Sequence, residues 1–171
     1  MKQLTIFRIL SFILLPIAAL FGGIGFFVLL MALANPEMFL LVFLLAGFVI
    51  YTFSSLKFLI KAIDTDRPCK PGLRDWIRVN AFVSIFLGVM FLNGALVIFF
   101  SGNAQLRKLY DQTLELQPNM PTIMNFNMYL SMMHAAAYFF LFISIILLVH
   151  IPLNFRVMKK YRYLFNAPKP E

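Results

Sequence analysis

Four apolar runs divide this chain, at residues 9–33, 38–60, 79–100 and 128–153, and none has an Asp, Glu, Lys or Arg in its middle. A helix rises about 1.5 Å per residue, so about 20 apolar residues cover the roughly 30 Å of a bilayer's hydrocarbon core. Each run reaches that length. The pattern predicts an all-α membrane protein: four transmembrane helices forming a single integral membrane domain over residues 1–171. Composition agrees, because 61% of residues are hydrophobic and only 13% are charged. A soluble domain carries about a quarter charged residues to cover its surface.

The net charge of +8 is distributed by side rather than by patch. Lys2 and Arg8 precede the first run, six basic residues from Lys57 to Arg78 surround the second connection, and five from Arg156 to Lys169 follow the last run. Arg107 and Lys108 alone lie on the other side, offset by Asp111 and Glu115. By the positive-inside rule, both termini and the 61–78 loop are expected in the cytoplasm, with 154–171 as a basic cytoplasmic tail and 101–127 as an outer loop. The basic excess then reads as topology with some attraction to anionic headgroups, and nucleic acid is not expected as a partner. The first run is too long for a signal-peptide core of about 7–15 residues, so it is read as an uncleaved anchor. Cys69 is the sole cysteine, which excludes an intrachain disulfide. The outer loop has no Asn-x-Ser/Thr acceptor, in keeping with a bacterial plasma membrane.

The connections pair the runs into two antiparallel hairpins. Asn35-Pro36-Glu37 is a tight turn, and Asp64-Thr65-Asp66-Arg67-Pro68 breaks the second helix. Asp75 is expected to cap the third. In the outer loop Leu106, Leu109, Tyr110, Thr113 and Leu114 share a helical face, which predicts a short amphipathic helix ended by Pro118 and Pro121. In the first run Ala18/Gly22 and Ala19/Gly23 are small-x-x-x-small pairs on adjoining faces, the spacing that lets helix backbones approach in lipid. In the third, Asn93 beside Gly94 is an amide inside an apolar run, expected to turn inward to a polar partner on span 4 or on a second protomer.

Two further groups of residues bear on chemistry. Met120, Met124, Met128 and Met132 recur every four residues and lead to Met133 and His134, a soft-ligand stripe of the kind that suits Cu(I). Methionines also fill gaps in apolar contacts, and the stripe spans about 18 Å, too long for one ion. His134 and His150 are about 24 Å apart on one helix and cannot share a metal. His150 is placed near the cytoplasmic end, within reach of headgroups; Ser131 and His134 join Asn93 as candidates for a polar network or path. Ion-coupled transport lacks an intramembrane carboxylate, and no hydrolytic motif is present. The sequence therefore favours a non-enzymatic subunit, anchor or scaffold without a cofactor, acting in the bilayer as a homo- or hetero-oligomer. A small oligomeric channel or transporter, with Cu(I) as one cargo, is the alternative. A membrane enzyme acting on lipid is the third.

Overall fold

The structure, a computed structural model, describes residues 2–116 and 125–165. These residues fold as helices and short connections: α1 (Lys2–Ala32), α2 (Phe39–Phe58), α3 (Pro71–Phe100), α4 (Asn103–Leu116) and α5 (Phe126–Lys160). A 3₁₀ turn, Pro36–Met38, leads into α2, and a π-turn, Leu59–Ile63, prolongs it. A second 3₁₀ turn, Arg162–Phe165, follows α5. Four segments are long and apolar enough to cross a membrane: α1, residues 36–63, α3 and α5, of 31, 28, 30 and 35 residues. The chain is thus an all-α protein with four membrane-spanning candidates.

α1, α3 and α5 begin ahead of their apolar runs. α1 is already helical at Lys2, well before its apolar run, in keeping with the good helix formers Lys2, Gln3 and Leu4. Pro16 in α1 and Pro152 in α5 lie within continuous helix, as proline is tolerated in apolar spans whose neighbours re-satisfy the freed backbone groups. Asp75 does not cap α3, contrary to expectation. Pro71 opens that helix, where its missing N–H and fixed φ cost nothing, and Asp75 falls on the second turn. Asn35 does cap: its side chain accepts the Glu37 N–H at 3.3 Å. The π-turn carries an i→i+5 bond, Asp64 N–H to the Leu59 carbonyl at 3.0 Å, and the helix then ends in a Schellman motif, with Arg67 N–H on the Ala62 carbonyl at 3.2 Å and Asp66 N–H on the Ile63 carbonyl at 3.4 Å. Asp66 then takes a left-handed φ of 47°, a conformation that Asp tolerates better than most side chains.

The chain groups into two compact units, Met1–Gly88 with Ile146–Glu171, and Val89–Ile145. In the first, α1 and α2 pack antiparallel. A Cβ built on Gly22 would stand 3.8 Å from Val49, and one on Gly25 would stand 3.6 Å from Leu45. Phe21 meets Phe48 edge to face at 5.9 Å. α2 meets α3 closely at Gly47, where a Cβ would overlap the Val83 side chain. Gly88 of α3 accepts Leu148 of α5, whose Cδ2 would be 3.3 Å from an added Cβ. The last turn folds back so that Phe165 stacks on Phe58 at 4.9 Å and the Cys69 N–H donates to the Leu164 carbonyl at 2.8 Å.

In the second unit, α3 and α5 hold each other through Phe91 on Phe140, 4.7 Å apart, and Phe99 on Tyr138, 4.8 Å apart. α4 buries Leu106 and Tyr110 but leaves Leu109 exposed, and Thr113 and Leu114 are half-buried. Tyr110 packs on Phe126 and Tyr129 of α5, and the Arg107 guanidinium lies 5.4 Å from the Phe126 ring centroid. Pro118 and Pro121, expected to end this helix, lie outside the described residues.

Candidate functional site

Five of the polar side chains that the first unit buries converge on one place. Ser11 on α1, Tyr51 and Ser55 on α2, and His150 and Asn154 on α5 are all at most 2% exposed. Two of the helices deliver their pair at i, i+4 spacing, which puts both members on one face. The His150 ring stacks on Phe7 at 4.9 Å, so its faces are packed and only its two nitrogens reach polar partners. Nε2 lies 2.9 Å from Ser11 Oγ, and Nδ1 lies 2.7 Å from the Tyr51 hydroxyl.

Counting hydrogens assigns the direction of each bond. Ser11 donates its one hydroxyl hydrogen to the Phe7 carbonyl at 2.8 Å, so its oxygen accepts from His150. Nε2 therefore carries the proton of a neutral ring, Nδ1 accepts, and Tyr51 donates to it. Tyr51 Oη in turn accepts from Asn154 Nδ2 at 3.3 Å, and the second hydrogen of that amide goes to Ser55 Oγ at 3.0 Å. The chain runs one way: Asn154 to Tyr51 to His150 to Ser11 to the Phe7 carbonyl. One atom is left over: Asn154 Oδ1 is buried and has no partner among the described residues.

A serine on His Nε2, with another group on Nδ1, has the outline of a nucleophile and its base. The chemistry differs at each point. A base must accept the serine proton, whereas Ser11 spends it on a backbone carbonyl. The third member is a phenol rather than a carboxylate, so it gives little stabilisation to a forming imidazolium. Ser11 is 2% exposed and His150 fully buried, which leaves no place for a reacting atom beside them. What the arrangement does well is tie three helices at one register.

The residues expected from sequence are placed as follows. Ala18 is buried and Gly22 faces α2, where a Cβ would meet Val49 at ordinary contact distance; Ala19 and Gly23 are exposed, with nothing near a Cβ on Gly23. Asn93 does not turn inward: it and Gly94 lie on the exposed face of α3, because the buried face there is taken by Phe91 and Ala95. His134 is half-buried and parallel to the Phe99 ring at 6.4 Å. Ser131 is exposed and donates to the Asn127 carbonyl of its own helix at 2.9 Å, so the two are not joined to Asn93. Met128 and Met132 are both exposed on one face of α5, while His134 is two residues, about 200°, further round. These members of the stripe do not converge with the imidazole, and Met120 and Met124 lie outside the described residues.

His150 corrects the sequence reading most. It reaches no headgroup but is the centre of the buried network, held there by Phe7 and two hydroxyls. Asn154 was missed altogether. The signal was available: Tyr51/Ser55 and His150/Asn154 are both i, i+4 polar pairs close to the basic ends of their runs. Thr52, Asn80 and Ser84 instead bond the carbonyls of their own helices, at 3.0, 2.8 and 2.7 Å.

Outside the spans, the Tyr163 hydroxyl donates to Asp66 Oδ1 at 2.8 Å. That bond to a carboxylate pushes the phenol's pKa up, since ionisation would lose the donor and set two anions together. Burial likewise pushes the Cys69 thiol up. Arg8 and Asp64 form an exposed ion pair that joins the start of α1 to the turn after α2. Comparison with protein-family models, curated proteins and solved structures finds no match for the chain.

Proposed function

We propose that this protein is a non-enzymatic subunit or scaffold of a membrane assembly, and that a transmembrane helix of another chain covers the α3 face bearing Asn93. The observation that carries this reading is the exposure of the Asn93 amide deep in an apolar span. Asn93 precedes the helix end at Phe100 by seven residues, about 10 Å of rise, which a short amide side chain cannot bridge to reach water. An amide facing hydrocarbon without a partner is costly. An interhelical hydrogen bond removes that cost, and Gly94 beside it leaves room for a neighbouring backbone. Met128 and Met132, exposed on α5, offer an adaptable apolar surface for the same kind of contact.

The inward polar groups of α1, α2 and α5 support a structural role too, because they are spent on one another. The distribution of basic residues supports an orientation with both termini in the cytoplasm. The test is the native mass of the protein extracted with its surrounding lipid, for wild type and Asn93→Leu. A partner chain or second copy is expected with the wild type. Asn93→Leu is expected to weaken association about tenfold, from an interhelical bond of about 1–2 kcal/mol in lipid. A wild type that is monomeric in its own lipid, or a variant that assembles as well as wild type, overturns the reading. Loss of solute flux with assembly intact would replace it with a transport path.

A further inference from the structure

A cleft of about 660 Å³ opens where the first turns of α3 meet the last turns of α5. Arg74 and Arg78 line it from α3, Lys159 and Arg162 from the end of α5 and the turn after it, and Phe82 and Phe155 form its apolar floor. We propose that this cleft is a binding site for one anionic phospholipid, with the phosphodiester among the four cations and the acyl chains over the two rings.

Charge is the first argument. Among the described residues the only carboxylate within 4 Å of these cations is Asp75, 3.6 Å from Arg74 Nε. Four cations less one carboxylate leave a local charge of +3. Arg74 Nε is itself buried and without a hydrogen bond. Arg78, Lys159 and Arg162 have no carboxylate partner among the described residues, so their donors are available to phosphate oxygens, which guanidinium groups bind in bidentate fashion.

The second argument is the order of polarity along the helices. Arg74, Arg78 and Phe82 follow one another at four-residue intervals on one face of α3. Passing from Arg78 to Phe82 descends about 6 Å, from a polar helix end to the start of the apolar run. Phe82 stays 61% exposed even though its ring lies 6.5 Å from that of Phe155. The site is amphiphilic over the distance that separates a phospholipid's phosphate from its first methylenes. Free phosphate would use only the upper half, and a cleft of about 660 Å³ is far larger than one such ion fills. Basic pockets between transmembrane helices are the usual seats of anionic headgroups.

The experiment separates a site from the general attraction of a basic membrane edge. The full chain, delipidated in neutral detergent, is titrated with phosphatidylglycerol, with phosphatidylcholine of the same acyl chains, and with inorganic phosphate, and retained ligand is counted by native mass spectrometry. Wild type is expected to hold one phosphatidylglycerol at least about tenfold more tightly than phosphatidylcholine, and phosphate is expected not to displace it. The exposed pair Arg78→Gln/Lys159→Gln is expected to bind about thirtyfold more weakly, while Lys57→Gln/Lys61→Gln, which removes the same charge elsewhere, stays within about threefold of wild type. Phe82→Ala is expected to lose affinity with the charge intact. Equal losses in the two charge variants, no preference for the anionic lipid, or displacement by phosphate at comparable concentration would each overturn the site.

Discussion

Tyr51→Phe removes one oxygen and disturbs two bonds, and its cost can be worked through the network. His150 Nδ1 loses its partner at 2.7 Å and is left an unsatisfied buried acceptor. Asn154 Nδ2 loses its acceptor at 3.3 Å but keeps Ser55 at 3.0 Å. In a water-soluble protein an orphaned buried group costs about 1–3 kcal/mol. Within a bilayer, interhelical hydrogen bonds average about 0.6 kcal/mol and reach about 1.7, because the separated helices also find partners. The membrane figures apply here, so Tyr51→Phe should cost about 1–2 kcal/mol. His150→Phe keeps the stacking on Phe7, and it leaves no unsatisfied donor on Ser11, whose hydrogen stays with the Phe7 carbonyl. In the double variant the orphaned Nδ1 no longer exists, and the Asn154 loss is common to both sides of the cycle and cancels. The expected coupling is therefore about 1 kcal/mol, a fivefold change in the unfolding equilibrium. Reversible unfolding of the four variants in bicelles measures it. A coupling below about 0.3 kcal/mol, the usual error of additivity, would refute both the bond and the assigned tautomer chain.

The close contact of Gly47 with Val83 gives a second expectation. Gly47→Ala should destabilise by about 1–3 kcal/mol through overlap with Val83, and adding Val83→Ala should recover most of that loss in the same unfolding assay; a neutral Gly47→Ala would refute the packing. Tyr163 supplies a pH dependence. Its raised pKa means that the Asp66 bond contributes stability below the free phenol's pKa of about 10 and loses it as pH rises through the higher folded value. Spectrophotometric titration against a Tyr163→Phe control should show this phenol titrating late, and Asp66→Asn should return it toward its ordinary range; an unchanged titration would show that Asp66 is not the cause.

Sequence and structure agree wherever length and apolarity decide the outcome. Four spans follow from the hydrocarbon thickness alone, and the Asn35 turn follows from an Asx residue before proline. Which polar residues meet was not legible, because that depends on the rotation of each helix about its axis. An apolar run on all sides carries no periodic stripe to fix that rotation. Hence His150 read as an interfacial side chain and Asn93 as an inward one, and each lies on the opposite side of its expectation. Gly47 escaped notice for a related reason: its neighbour Val83 is on another helix, and no spacing within α2 points to it.

The π-turn at Leu59–Ile63 has a consequence for how the gene can change length. Its i→i+5 bond from Asp64 to Leu59 encloses one residue more than an α-turn does, so the spare residue is already looped out of helical phase. Deleting a single codon there would let ordinary i→i+4 bonds close and would leave the facing of Tyr51 and Ser55 unaltered. A one-codon deletion between Gly47 and Tyr51 would instead rotate one flank against the other by about 100°, carrying Gly47 and Tyr51 out of common alignment with Val83 and His150.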